Sequence, residues 1–187
     1  LCALAGPFLA KVDAATILRN EVGPSSTYRF GTFGQSFITP AGVAYDNIAF
    51  SWLGIDSAPV ASGTLFLMEW EWIGLPEDLS PERIGYIAQS TGIVNNAYVF
   101  DPSVQLDPNK QYWVYMGGPA QYAGIYTGPG AYGTPLYMVL GTPAYSRIDN
   151  QSASYVLTGN AVVPEPTVAA LLALGGCVVF FRSRKRG

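Results

Sequence analysis

Between residues 15 and 160 the sequence alternates apolar and polar residues in short stretches, with clusters of Gly, Pro, Asn and Asp between them. A period of two is typical of a β-strand whose two faces differ, whereas an amphipathic helix needs a period near 3.6. The stretches are "TYRF", "GQSFITP", "YDNIAFSWLG", "GTLFLMEWEWIG", "NAYVF", "QYWVYMGG", "LYMVLG" and "SYVLTG". This pattern predicts an all-β fold with antiparallel strands.

A body of about 145 residues suits one domain with a sizeable core. We therefore expect a single antiparallel β-sandwich with a jelly-roll-like arrangement, followed by a short C-terminal hydrophobic helix. Within the body a helix is indicated only around Leu79 to Ile84, where Ser80 would be the N-cap and Pro81 the first helical residue.

The longest alternating stretch, Thr64 to Trp72, predicts a strand with two different faces. One face carries Thr64, Phe66, Met68, Trp70 and Trp72, and the other carries Leu65, Leu67, Glu69 and Glu71. We expect the aromatic face to lie in the core. The second face would be half covered at its leucines and solvated at its glutamates.

The C-terminal segment has a different composition. A Pro-Glu-Pro sequence precedes fourteen uncharged residues, Val168 to Phe181, and a basic cluster follows them. As a helix this apolar run would reach about 21 Å, which is short for a hydrocarbon core of about 30 Å. The flanking cations favour the cytoplasmic side, and the prolines keep the preceding peptide extended. The Pro-Glu-Pro sequence consists of Pro164, Glu165 and Pro166, and the basic cluster consists of Arg182, Arg184, Lys185 and Arg186.

These features predict a short membrane stop beside an accessible peptide, as a membrane-embedded protease would require. The alternative is a buried C-terminal helix with a basic cap. The segment "VPEPTVAALLALGG…VFFRSRKRG" resembles the PEP-CTERM sorting signal over 26 of the 187 residues, although Cys177 inside the apolar run is less usual. The resemblance implies an exosortase-type membrane protease as partner and transient contact with the inner membrane. It also implies delivery to the surface or extracellular matrix of a Gram-negative bacterium that makes exopolysaccharide.

The N-terminal residues agree with export. Leu1 to Ala10 reads as the remaining apolar region of a secretory signal peptide, and Val12-Asp13-Ala14 has the spacing of a cleavage site. Lys11 is atypical so close to the site, and the alternative is a first strand or helix of the fold. We therefore expect a signal-peptide remnant at 1–14, a sandwich ectodomain at 15–160 and the sorting signal at 161–187, with its transmembrane helix at 168–181.

Charge and composition limit the chemistry of the body. Residues 15–160 carry eleven acids and five cations, a net charge of −6, which argues against nucleic acid as a partner. The chain has no histidine, and its cysteines, Cys2 and Cys177, lie in the apolar ends. Histidine-based catalysis, thiol chemistry and His- or Cys-ligated metals are therefore excluded from the body, and we expect no cofactor.

A carboxylate pair is the remaining catalytic possibility. Glu69 and Glu71 would lie about 7 Å apart on one strand face, within the spacing used by glycosidases. Glycosidase carboxylates flank the sugar from opposite sides, however, so a solvated sheet face is the favoured interpretation. Two calcium candidates, Asp101 with Asp107 and Asp46 with Asn47, lack the dense acidic spacing of a recognised loop.

Aromatic residues offer a second possibility, because their flat rings could stack on a polysaccharide. The candidates are Trp52, Trp70, Trp72, Trp113, Tyr112, Tyr115, Tyr122, Tyr126 and Tyr132. Tyr122, Tyr126 and Tyr132 lie in the Gly- and Pro-rich segment "YAGIYTGPGAYGTPLY", which cannot easily bury its rings, so we expect these three to be exposed. The alternative is that the aromatic residues simply fill the core.

The body also resembles the choice-of-anchor-type β-sandwich domains found before PEP-CTERM tails, through "GQSF", "LFLMEWEW", "YVFDPSVQLDPNKQYWVYM" and a late hairpin. Such domains carry no agreed activity. The sequence therefore predicts an exported, non-enzymatic surface or matrix protein that associates with exopolysaccharide. A carbohydrate-binding module is the alternative, and a carboxylate-dependent glycosidase comes third.

Overall fold

The computed structural model describes residues 14–22, 26–28, 32–54, 59–117, 125–129, 135–139 and 143–163. The described strands are β1 (Ala15–Asn20), β2 (Ser26–Tyr28), β3 (Phe33–Ile38), β4 (Tyr45–Leu53), β5 (Pro59–Val60), β6 (Thr64–Met68), β7 (Tyr86–Gln89), β8 (Gly92–Val94), β9 (Ala97–Val99), β10 (Gln111–Gly117), β11 (Ile125–Gly128), β12 (Leu136–Val139), β13 (Tyr145–Ile148), β14 (Ser152–Ala153) and β15 (Tyr155–Ala161). A 3-10 helix spans Pro76–Asp78. The strands pair antiparallel throughout, which confirms the predicted all-β class.

The strands form two six-stranded sheets and a smaller one. The first sheet has the order β1-β15-β4-β9-β8, with β5 also paired to β4, and the second has the order β13-β12-β3-β10-β6-β7. The third sheet has three strands in the order β14-β11-β2. Each of the eight stretches predicted from the sequence overlaps one of these strands.

The two large sheets face each other across one apolar layer, which we call the central core. Ring contacts join the sheets: Phe33 lies 6.5 Å from Trp52, and Phe37 lies 6.3 Å from Tyr155, between centroids. The core includes Phe50, Trp52, Tyr155 and Leu157 of the first sheet, and Phe33, Phe37, Leu65, Leu67, Val114 and Met138 of the second. Burying the inward residues of both sheets in this way is what a β-sandwich requires.

The second sheet is also covered on its outer face. Outward-facing residues of its strands form an outer cluster there with two residues of the β6–β7 connection, Trp72 and Leu79. The cluster consists of buried Phe66, Met68, Leu79, Tyr115, Tyr137 and Tyr145 with half-buried Trp72, Tyr86, Trp113 and Val139. Our expectation for the Thr64–Trp72 stretch was therefore wrong at the two leucines of the second face and also at Trp70 of the first face, which is 62% exposed. Leu65 and Leu67 are fully buried in the central core, because the sheet has an apolar layer on each side.

The outer cluster is covered by the connection between β6 and β7, residues 69–85, which we call the 69–85 loop. The two strands pair directly, so the loop leaves the sheet edge and returns to it. Tyr145 N–H donates to Gly74 O at 3.0 Å, and the side chains of Pro76 and Leu79 are buried. The strand predicted to reach Trp72 therefore ends at Met68, because the chain bends out of the sheet there.

The predicted helix at 79–84 is also wrong. The 3-10 helix lies just upstream, at Pro76–Asp78, and residues 81–85 form turns in which Arg83 N–H donates to Ser80 O at 3.1 Å. Gly85 ends these turns with φ +80, a left-handed conformation that an α-helix cannot continue through. Within the described residues no helix is long and apolar enough to cross a membrane. The predicted signal remnant up to residue 13 and the predicted helix at 168–181 lie outside those residues.

Candidate functional site

Most of the site residues predicted from the sequence lie outside the described part of the chain. These are Pro164, Glu165, Pro166, Tyr122, Tyr132 and the cluster Arg182, Arg184, Lys185 and Arg186. Tyr126 lies in β11, where its backbone pairs with Thr27 of β2, but its side chain is not among the parts of the chain that the structure describes. The predicted exposure of the three tyrosines therefore stays a prediction.

The two glutamates considered as a catalytic pair each face a cation. Glu69 Oε1 accepts a hydrogen bond from Lys110 Nζ at 2.7 Å, and this contact raises the pKa of Lys110. Glu71 Oε2 lies 3.8 Å from an Arg147 guanidinium nitrogen. Arg147 also donates to Asp149 at 2.7 Å, and that bond raises its pKa. Each carboxylate is thus held by its own ion pair, and the pair does not line opposite walls of one cleft.

The calcium candidates are engaged locally. Asp101 Oδ1 accepts from Ser103 N–H at 2.9 Å and from its hydroxyl, and these bonds lower the pKa of Asp101. Asp46 accepts from Asn47 at 2.8 Å, and Asp107 lies 3.4 Å from Lys110 Nζ. Within the described residues no group of three acidic or other metal-binding side chains comes together.

The described surface does contain a groove of about 430 Å³ on the 69–85 loop. It is lined by Trp70, Glu71, Trp72, Ile73, Glu82, Arg83 and Ile84. Small-molecule sites usually occupy about 300–1,000 Å³, so this groove has room for a small ligand. A loop this long inside a compact domain is commonly functional, and we take the groove as the candidate site.

Trp70 is the exposed aromatic of the groove. The chain has four tryptophans, and Trp70 is 62% exposed whereas Trp52 is fully buried. Its backbone is held, because the neighbouring Glu69 N–H donates to Gly85 O at 2.7 Å. Gly85 packs so closely that a Cβ there would overlap Trp70, and its φ of +80 also favours glycine. The prediction that Trp70 lies in the core is therefore wrong.

Trp72 and Arg83 form the floor of the groove. The half-buried Trp72 ring lies 4.6 Å from Arg83 Cζ, in cation–π geometry. Its Nε1 donates to Leu75 O at 3.0 Å, and its backbone N–H donates to the Tyr115 hydroxyl at 2.8 Å. Arg83 Nε donates to Asp78 O at 2.9 Å. The guanidinium is therefore fixed by the loop itself.

The acidic groups of the groove are also positioned by neighbours. A hydrogen bond with Ser80 lowers the pKa of Glu82, so that this exposed carboxyl stays ionised into mildly acidic solution. Glu71 accepts from the Tyr137 hydroxyl, which in turn accepts from Trp113 Nε1 at 3.3 Å. Burial raises the pKa of Tyr137 to about 12, so the phenol keeps its proton and remains a donor.

Sequence reasoning missed this groove because the alternation in "LFLMEWEW" continues past the end of the strand. A usable signal was the composition of residues 74–85, "GLPEDLSPERIG", whose two prolines and two glycines rule out continuous strand or helix. No family model, curated protein or solved structure matches this chain.

Proposed function

We propose that this chain is an exported, non-enzymatic protein of the cell surface or extracellular matrix, sorted through its C-terminal tail and associated with exopolysaccharide. The observation that carries the proposal is the order of the tail: Pro-Glu-Pro, an apolar run, then four cations. Its partner is an exosortase-type membrane protease, and its contact with the inner membrane is transient. The tail and its resemblance to PEP-CTERM signals are the grounds for a Gram-negative source.

The end of the sandwich supports this proposal. The final strand, β15, ends at Ala161, and the next backbone bond runs from Val162 N–H to Ala44 O at 2.8 Å. Val163, directly before the Pro-Glu-Pro sequence, is 76% exposed. A protease can therefore approach the chain at Val163 without unfolding β15.

The finer fold assignment belongs to the same proposal: a jelly-roll-like sandwich followed by a short apolar helix at 168–181. The path of the chain supports the first part. It crosses from the second sheet to the first after β3, back after β5, to the first again after β7, and back after β9. Repeated crossing between two antiparallel sheets is typical of Greek-key and jelly-roll sandwiches.

Replacement of the sorting motif tests the proposal. In a host that carries the exosortase, deletion of Pro164 to Pro166, or Glu165→Gln, should leave an unprocessed precursor in the membrane fraction. The mass of the wild-type extracellular form would fix both cleavage sites. Glu77→Gln, which removes one exposed acid from the sandwich, is the matched control and should be processed normally. Secretion of the deletion variant at the wild-type mass would contradict the proposal.

A carbohydrate-binding module is the second candidate function, and the exposure of Trp70 favours it. Core-filling alone does not account for a tryptophan that is 62% exposed on an ordered loop. A glycosidase has less support, since Glu69 and Glu71 each pair with a different cation and, of the two, only Glu71 lines the groove.

A further inference from the structure

We propose that the groove on the 69–85 loop binds an uncharged saccharide, with Trp70 as the stacking surface and Glu71 and Glu82 as hydroxyl acceptors. This inference rests on the exopolysaccharide association proposed above and assigns it a site and a sugar class. Three properties of the groove support saccharide binding: its exposed aromatic surface, its polarity and its charge.

The first step is that Trp70 is both exposed and held in place. The bond from Glu69 N–H to Gly85 O and the close contact with Gly85 fix the backbone that carries the indole. A rigid aromatic ring loses little conformational entropy on binding, which is why tryptophan is frequent at binding hot spots. The structure thus presents a flat apolar surface to solvent on a backbone that is already held in place.

The second step is that the lining combines apolar side chains with side chains that accept hydrogen bonds. Ile73 is 62% exposed and Ile84 is 82% exposed, so they add apolar surface beside Trp70. Glu71 and Glu82 add carboxylates, each with several acceptor sites. A pyranose ring has the matching character, with C–H faces that are apolar and hydroxyl edges that donate hydrogen bonds.

The third step is the charge. The groove carries two carboxylates and one cation, Arg83, and that cation is already committed to the Trp72 ring and to Asp78 O. Glu71 also faces Arg147, 3.8 Å away, but the lining itself still has one more acid than cation, and an anionic sugar would approach it on a body of net charge −6. Charge therefore selects uncharged sugars and disfavours uronates.

Binding is tested on the full chain, in a detergent without sugar groups, by calorimetry and by tryptophan fluorescence. The probes are cellohexaose, xylohexaose and mannohexaose, with trigalacturonate as the anionic comparison. We expect saturable binding of at least one neutral oligosaccharide and none of trigalacturonate. Binding of no neutral probe, or tighter binding of trigalacturonate, would overturn the inference.

Variants then assign the site. Trp70→Ala should weaken binding by about tenfold or more, whereas Trp70→Phe should keep most of it because a flat ring remains. Glu82→Gln should weaken binding less, by exchanging a charged acceptor for a neutral one. Ile93→Ala removes an exposed apolar side chain on β8, away from the groove, and is the matched control. Unchanged binding in Trp70→Ala would overturn the proposed site.

Two further outcomes are decided by the same samples. Self-association in sedimentation that is lost in Trp70→Ala would identify a second copy of the chain as the occupant and overturn the saccharide. Processing of the tail is measured separately, so the two proposals fail independently. Saccharide binding with normal secretion of the tail variants refutes only the sorting, and correct sorting without saccharide binding refutes only the groove.

Discussion

The tyrosine hydroxyls of the outer cluster bond backbone groups that the sheet and the 69–85 loop leave free. The Tyr115 hydroxyl accepts from Trp72 N–H at 2.8 Å, and the buried Tyr145 hydroxyl donates to Met116 O. The rings also touch, since Tyr115 lies 5.0 Å from Tyr145 and 5.7 Å from Tyr137. A tyrosine suits this position because its ring fills apolar space while its hydroxyl satisfies a buried polar group.

Tyr115→Phe should therefore lower the free energy of unfolding by about 1–2 kcal/mol, because Trp72 N–H loses its acceptor while the ring contacts remain. Urea denaturation measures the change. Tyr86→Phe is the control in the same cluster, since the Tyr86 hydroxyl bonds none of the described residues, and it should cost less. Equal destabilisation by the two substitutions would show that the bond to Trp72 does not contribute.

The 69–85 loop contains only one short 3-10 helix, Pro76–Asp78, and no strand, yet it has a buried face. Leu79 belongs to the outer cluster and Pro76 is buried, whereas Trp70, Ile73 and Ile84 remain exposed. Its ends are closed by the bond from Glu69 N–H to Gly85 O. The loop therefore has two roles: its inner face covers the sheet, and its outer face forms the groove.

Leu79→Ala should destabilise the protein by about 2–3 kcal/mol and loosen the loop, because it leaves a cavity under the point where the loop docks. Trypsin cleavage after the exposed Arg83 should become faster, and the melting temperature should fall. Ile84→Ala changes a neighbouring residue that is 82% exposed, and it should stay within about 0.5 kcal/mol of wild type. Loop cleavage at the wild-type rate in Leu79→Ala would argue that Leu79 does not anchor the loop.

At the scale of the whole molecule, the buried tyrosine hydroxyls make the free energy of unfolding depend on pH in the alkaline range. Burial raises the pKa of Tyr115 and of Tyr145 well above the ordinary value, and that of Tyr137 to about 12. The unfolded chain releases these protons near pH 10, whereas the folded chain keeps them. Stability is therefore fully present below about pH 10 and declines as the pH rises from about 10 to 12.

We expect the urea midpoint to change little between about pH 6 and 8, because the chain has no histidine, and to fall steeply above about pH 10. Each buried tyrosine that stays neutral while its unfolded counterpart ionises contributes a loss of about 1.4 kcal/mol per pH unit. Tyr137→Phe removes one such group and should make the decline shallower. A constant midpoint up to about pH 12 would contradict this account.

The local pattern was sufficient to predict the class of the fold and the long strands. β4 and β10 span nine and seven residues rich in aromatic and other apolar side chains, so each is long enough to be recognised as a strand without knowing its neighbours. Strands of two to four residues, such as β5, β8 and β14, show no periodicity that a sequence could reveal. They form because a neighbouring strand supplies a hydrogen-bonding edge: β4 for β5, β9 for β8 and β11 for β14.

The sequence by itself determined the alternation, the acidic body, the absence of histidine and the order of the C-terminal tail. Only the tertiary structure decided which alternating residues are covered. Trp70 and Met68 share one predicted face, yet Met68 is 1% exposed and Trp70 is 62% exposed. The reason is that burial depends on what packs above a residue. Here the chain leaves the sheet after Met68 and covers it with residues such as Leu79, while the contact with Gly85 holds Trp70 at the surface.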